Sequence, residues 1–250
     1  EKNKKLFEKY WPASYHLIGK DILTTHAIYW PTMLMSLGID LPKTIFAHGW
    51  WLISESKMSK SIGNVIDPID LIDKHGVDPV RYYFMREMVL GNDSSFTEDS
   101  FKNRYNSDLA NDFGNLLSRV STLMKKNFEG RIPSPKKTSK MEKEIQLKSE
   151  ILIKGVKKKV KNMRINEAIE DIMQFIRSVN KYLEVMAPWK MVKVDKENTG
   201  TVLFTAGEAL RISALLLKPI MPNRTSILLE AFNAKETSLS WGGLVPGAMI

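Results

Sequence analysis

The chain contains no cysteine and only four histidines in 250 residues. The first absence excludes a disulfide framework, cysteine-ligated zinc, a thiol nucleophile and iron–sulfur clusters from this span. The histidines are scattered and show no metal-ligand spacing. No apolar run approaches the roughly 18 residues that a membrane span needs. Glu1 to Lys9 is charged and has no apolar core, so no secretory signal is visible. What is plentiful is positive charge: 37 basic residues against 28 acidic ones, net +9. That balance suggests an anionic partner, and on charge alone nucleic acid and an ordinary solvated surface both stay open. The length suits one or two domains with a real core, and 43% hydrophobic residues is ordinary for a globular protein.

The first stretch reads as α/β. Ser14 to Ile18 is a short apolar run ending at Gly19, consistent with a buried strand. Ile22 to Leu37 has a helical pattern, which Pro31 should kink and Gly38 should end. Thr44 to Ala47 and Trp50 to Ile53 read as further strands, and strand–helix–strand is the signature of a parallel sheet. Asp67-Pro68 opens a helix that Gly76 stops; Asp78-Pro79 opens another through Leu90, closed by Gly91. Beyond Thr97-Glu98 the periods are almost all helical. The longest helix runs roughly from Glu98 to Asn127, with Leu109, Phe113, Leu116, Val120 and Met124 as its apolar stripe. After a loop with Pro133 and Pro135 come a lysine-rich helix, a helix from Ile165 to Met186, and a largely apolar one from Val202 to Leu217 that should lie at the centre of a bundle and stop at Pro219. The methionines, among them Met163, Met173 and Met186, are most simply core filling. The fold class is therefore α/β plus all-α.

The sharpest chemical feature is a polar loop. Lys57-Met58-Ser59-Lys60-Ser61 places two ammonium groups three residues apart among hydroxyls, with Gly63 supplying backbone freedom. Such a loop can close over a polyphosphate, and it can equally be a basic surface loop. Asp21 follows the strand that ends at Gly19. At the carboxyl end of a strand a carboxylate can hold ribose hydroxyls, or it can simply cap a helix. Ile22 and His26 are four apart and share a helix face; the imidazole is either a substrate contact or a core histidine satisfied by a backbone carbonyl. Asn115 and Arg119 lie off the apolar stripe of the long helix, toward solvent or a partner. Trp189 follows Pro188 at a helix break, where an indole either stacks on a splayed base or packs on the bundle. Lys154, Lys157, Lys158, Lys159 and Lys161 are a phosphate-contacting cluster or a solvated face.

The lysine–serine pentamer matches the second signature motif of class I aminoacyl-tRNA synthetases. The resemblance extends through His16 to Ile22, His26, Trp30-Pro31 and His48-Gly49 before it, and through Gly63 to Pro68 and Asp78 to Tyr82 after it. Asn115 to Arg119 and Ala187-Pro188-Trp189 are similar to the anticodon-reading segments of the methionyl-tRNA synthetases in particular. The family's first signature, H-I-G-H, is absent, as are the first half of its nucleotide-binding fold, an insert that often carries zinc, and a tryptophan-containing stretch of the methionine pocket. The expectation is thus the C-terminal part of a longer enzyme, unable by itself to form adenylate efficiently.

The resemblance implies the C-terminal half of a Rossmann-like catalytic domain over residues 1–66, connecting stem-contact helices over 67–100, and an α-helical anticodon-binding domain over 101–250. It implies Lys60, with Lys57 and Ser59, as the catalytic charge; Gly19, Asp21, Trp51 and Lys60 as contacts to ATP, with Trp50 more a core residue; Ile22 and His26 beside methionine; and Asn115, Arg119 and Trp189 on the anticodon. It further implies Mg2+ carried on the ATP phosphates with no protein-held metal in this span, tRNA(Met) as partner, no membrane, and a cytoplasmic location. Two alternatives stay open: a class I synthetase for valine, isoleucine, leucine or cysteine, and a tRNA-binding module without activity.

Overall fold

A computed structural model describes residues 2–53, 56–57, 66–234 and 238–250. The chain divides into two compact units: residues 1–65 with 88–97, and residues 66–87 with 98–250. Residues 67–100, read from the sequence as one connecting segment, therefore fall in both.

In the first unit, α1 (Lys2–Tyr10) precedes β1 (His16–Gly19), α2 (Trp30–Ser36), β2 (Ile45–His48), β3 (Trp51–Ile53), β4 (Ser56–Lys57) and, after the excursion into the second unit, β5 (Ser94–Phe96). β1 pairs parallel with β2, with Gly19 opposite His48, as the strand–helix–strand pattern requires. β3 is flanked by β4, antiparallel, and β5, parallel. The expected buried strand is buried on one face only: Ile18 is in the core while Leu17 is 59% exposed, and nothing among the described residues covers that face. The helix expected from Ile22 is broken up. A 3-10 turn spans Lys20–Ile22, a wide π turn spans Thr25–Tyr29, and regular α geometry begins only at Trp30. Trp30 N–H reaches back five residues to the Thr25 carbonyl. Pro31, in the first turn of α2, has no N–H, and its ring cannot sit against the carbonyl four residues back. The kink takes the form of a widened turn ahead of it.

The second unit comprises α3 (Pro68–His75), α4 (Val77–Glu87), α5 (Glu98–Arg104), a π-helical continuation (Tyr105–Gly114), α6 (Asn115–Asn127), α7 (Lys140–Lys161), α8 (Ile165–Met186), α9 (Pro188–Met191), α10 (Lys196–Leu217) and α11 (Pro222–Ala231). Asp67 caps α3, its Oδ1 accepting from Ile69 N–H at 2.8 Å, and Gly76 follows in the left-handed region at φ 84°. The second helix differs from expectation. It starts at Val77 and ends at Glu87, short of Leu90. Asp78, inside its first turn, is buried and accepts from the N–H of Arg224, so it ties α4 to α11 rather than capping its own helix.

Apolar stripes read from periodicity converge here. Leu116, Val120 and Met124 of α6 meet Ile169, Ile172, Ile176, Val179 and Leu183 of α8 in one core. α10 runs through its middle, starting six residues earlier than its apolar pattern suggested. α10 is long and apolar enough to pass for a membrane span, but 89% of its most apolar window is buried within the bundle. Two fully buried charges interrupt it. Arg211 donates to Glu208, to the Ser238 carbonyl and, at 2.6 Å, to the Ser240 carbonyl. Glu208 in turn accepts from Gly243 N–H at 2.7 Å and Leu244 N–H at 3.0 Å. The pair thereby consumes its own polarity on the backbone of the C-terminal segment.

Candidate functional site

In the first unit, β1 ends at Gly19 and the chain turns at once through Lys20 and Asp21. A Cβ at Gly19 would lie 2.5 Å from Asp21 Oδ1, so only glycine lets the carboxylate fold back over the strand end. Asp21 does not cap a helix. It lies inside the 3-10 turn, and its Oδ1 accepts from the Trp50 indole N–H at 3.4 Å. Lys20 Nζ sits 4.1 Å above the Trp50 ring and 2.7 Å from Asp93. Asp93 also accepts the Trp50 backbone N–H at 2.9 Å. The Lys20 ammonium, and then that N–H, hold the Asp93 carboxyl below its usual range. Trp50 is thus only partly buried, and it joins Lys20, Asp21 and Asp93 instead of packing in the core. Sequence reasoning missed Trp50, Lys20 and Asp93. Adjacent tryptophans at a strand edge carry no mark of which joins these charges, and Asp93 lies more than forty positions from its partner Trp50. Trp51, the residue expected at the adenine, is partly buried on β3 with Ser94 as its ladder partner.

A cavity of about 560 Å³ opens beside β1, lined among others by His16, Ile18, Thr25, His26 and Trp30. His26 faces it, with Nδ1 3.0 Å from the Ile22 carbonyl, so that nitrogen takes the backbone partner considered above and the rest of the ring is left to the cavity. Ile22 contributes this carbonyl but not a wall; its side chain is 42% exposed. His16 Nδ1 and Trp30 Nε1 are buried without a hydrogen bond, and both residues line the cavity. Ser59 and Lys60 lie outside the described residues, as does the side chain of Lys57, whose backbone forms β4. Among the described residues no three His, Asp or Glu side chains gather as a metal site.

In the second unit, Asn115 is exposed at the start of α6 and Arg119 follows one turn on. Arg119 Nη1 is 3.8 Å from Glu184 in the last turn of α8 and makes no hydrogen bond. α8 ends at Met186, Ala187 after it is left-handed at φ 43°, and Pro188 follows, buried. Trp189 then emerges 39% exposed. Asp108 fixes the segment leading into α6. Only 1% exposed, it accepts from the Tyr82 hydroxyl at 2.8 Å and from Arg177 at 3.3 Å, while Arg177 also binds Asp112 at 2.7 Å. Burial, with Asp108 beside it, pushes the Tyr82 hydroxyl far above its usual range, so it remains a donor. Of the lysine cluster, Lys159 is taken up by Asp171 at 2.7 Å; Lys154, Lys157, Lys158 and Lys161 are exposed.

The parallel strand pairs β1–β2 and β3–β5, on a chain whose sequence carries the lysine–serine pentamer and whose second unit is a helical bundle, fit a class I aminoacyl-tRNA synthetase. The family model for class I (M) tRNA synthetases matches residues 1–121, and that for the anticodon-binding domain of methionyl-tRNA ligase matches residues 132–248. The chain belongs to the methionyl-tRNA synthetase family. The methionine–tRNA ligase of Caldanaerobacter subterraneus subsp. tengcongensis is 39% identical over 99% of this chain, and that of Bacillus subtilis is 42% identical over 97%. The chain spans only 39% and 37% of those relatives' lengths. The structure of Mycobacterium tuberculosis methionyl-tRNA synthetase in complex with methionyl-adenylate superposes with a TM-score of 0.94 at 36% identity, over the whole of this chain and 51% of that one.

Proposed function

We propose that the protein, in its complete form, is a methionine–tRNA ligase of the cytoplasm. The observation that carries this is the presence of both family matches, in order, on one chain. A methionine carboxylate oxygen attacks the α-phosphorus of ATP, pyrophosphate leaves, and methionyl-adenylate forms. A terminal ribose hydroxyl of tRNA(Met) then attacks the adenylate carbonyl and AMP leaves. Gly19 and Asp21 hold the ribose, Trp51 lies beside the adenine, and Mg2+ arrives on the phosphates. Ile22 and His26 border the methionine side chain, in support of which His26 lines the cavity beside β1. Lys60, with Lys57 and Ser59, meets the charge that builds on the departing pyrophosphate, which favours the transition state over the ground state. Residues 1–66 belong to activation, 67–100 connect, and 101–250 read the anticodon through Asn115, Arg119 and Trp189. Amide, guanidinium and indole groups suit the edges and faces of unstacked bases.

The test is ATP–pyrophosphate exchange by the complete protein across amino acids. Exchange should depend on methionine and fall about 10²–10³-fold in Lys60→Ala. Exchange supported better by valine, isoleucine, leucine or cysteine would overturn the assignment. Binding of tRNA without any exchange would leave only the binding-module reading.

A further inference from the structure

A groove of about 700 Å³ runs along the outer side of α7, well away in sequence from every residue discussed under the proposed function. One wall is a single helix face: Glu150, Ile153, Lys154 and Lys157, spaced i, i+3, i+4 and i+7. The other is the C-terminal segment from Ser238 to Trp241. Lys154 and Lys157 are exposed and form no ion pair among the described residues. Trp241 is half-buried, its inner side against the bundle core, and its indole N–H has no partner among the described residues.

The second wall is held from within. Ser238 and Ser240 give their carbonyls to Arg211, and Gly243 and Leu244 give their N–H groups to Glu208. A Cβ at Gly243 would lie 2.4 Å from the Arg211 guanidinium carbon, so the segment lies directly on the buried pair. Trp241 sits between these anchors, and its ring is therefore placed before any ligand arrives.

We propose that this groove is a second nucleic-acid contact, taking one nucleotide of a single-stranded RNA. Trp241 meets the base face, Lys154 and Lys157 take the flanking phosphates, and Glu150 accepts from a ribose hydroxyl or an exocyclic amine. The volume is that of an ordinary small-ligand site, about 300–1,000 Å³. An acidic peptide would use the lysines, but it has no use for the indole face. A base-stacking ring flanked by free cations is instead the usual means of holding a single strand. That the strand belongs to tRNA rests on the proposed function; the chemistry of the groove does not.

The experiment is fluorescence anisotropy of a labelled uridylate pentamer with the complete protein, carried out in a Trp189→Ala background so that the anticodon cluster does not contribute. Lys154→Gln/Lys157→Gln should weaken binding about tenfold at low salt and reduce the slope of log K against log salt by roughly 1.4, the value for two lost phosphate contacts on a single strand. Trp241→Leu should weaken binding roughly fivefold or more. The lysine pair lies on an exposed helix face, so its result stands even where Trp241→Leu fails to fold. Equal losses in Lys148→Gln/Lys158→Gln, off the groove on the same helix, would show diffuse charge and overturn the proposal. An unchanged salt slope, or an acidic peptide bound with the same lysine dependence and no pentamer binding, would do so too. Whether Trp189→Ala loses discrimination among tRNAs is read separately, and it decides the anticodon assignment without touching the groove.

Discussion

Arg119 and Glu184 hold opposite charges 3.8 Å apart between α6 and α8, and the guanidinium nitrogen nearest the carboxylate makes no hydrogen bond. Both side chains are partly exposed, so the pair contributes little to stability. Its effect is on what Arg119 is free to bind. Glu184→Gln should leave thermal unfolding within about 0.5 kcal/mol of the parent. It should also raise tRNA affinity roughly two- to fivefold at low salt by removing a repulsive charge beside the phosphates. Filter binding and a melting curve on the same variant check both. Weaker tRNA binding would mean that Glu184 orients Arg119 rather than competing for it.

Glu142 closes the capping box of α7. Its carboxylate accepts from Ser139 N–H at 2.7 Å and from the buried Tyr182 hydroxyl at 2.5 Å. Burial pushes this carboxyl up, but the hydrogen bonds from Ser139 and Tyr182 outweigh it and hold it below its usual 4.5. A depressed carboxyl adds stability above the unfolded-state pKa and loses it as pH falls through the folded one. Glu142→Gln should therefore cost about 1–3 kcal/mol near neutrality. The difference should shrink as pH drops below 4.5, as seen by urea unfolding in acid and neutral buffer. A gap that widens in acid would contradict the assignment.

For the fully buried Arg211 and Glu208, either Arg211→Met or Glu208→Gln should cost roughly 3–5 kcal/mol, since each leaves an uncompensated partner. An apolar double variant should not recover the loss. The Ser238 and Ser240 carbonyls and the Gly243 and Leu244 N–H groups would all lose their partners. Denaturant unfolding of the three variants measures this, and a double variant as stable as the parent would refute it.

At Gly49, an added Cβ would fall 2.0 Å from the Asn92 carbonyl oxygen. Gly49→Ala must push apart the segments that carry Trp50 and Asp93. Pyrophosphate exchange should drop at least tenfold, mostly through KM for ATP, because misplacing a positioning group by about 1 Å can cost 10²-fold. Unchanged KM for ATP would separate this contact from the nucleotide face.

Much of the architecture was legible because it is written in local periods. Ile169, Ile172, Ile176, Val179 and Leu183 repeat at helical spacing and are all buried; Asp67-Pro68 caps where such a pair should. The pattern placed Asn115 and Arg119 off the apolar stripe, but it could not show that Arg119 meets Glu184, which lies 65 positions later in the numbering. β5 has three residues, too few to display alternation, and its partner β3 lies some forty residues back. Residues 105–114 carried a helical stripe, yet their wider turns are set by bonds to the fifth residue back, which side-chain spacing does not reveal. Trp50 was expected in the core, and its contacts to Lys20, Asp21 and Asp93 join residues far apart in the chain, which local spacing does not reveal.

The return of residues 88–97 to pair β5 with β3 has a practical side for anyone dissecting this polypeptide. A scissile point at 66, natural as it looks in the linear text, would carry β5 away with the helices. It would bare a hydrogen-bonding edge on one product and leave an orphan ribbon, Phe96 included, on the other. The helical portion separates cleanly only if it starts at 98, and it then forfeits α3 and α4 with the Tyr82 and Asp78 anchors. Neither unit can be released by a single cut without injuring its neighbour.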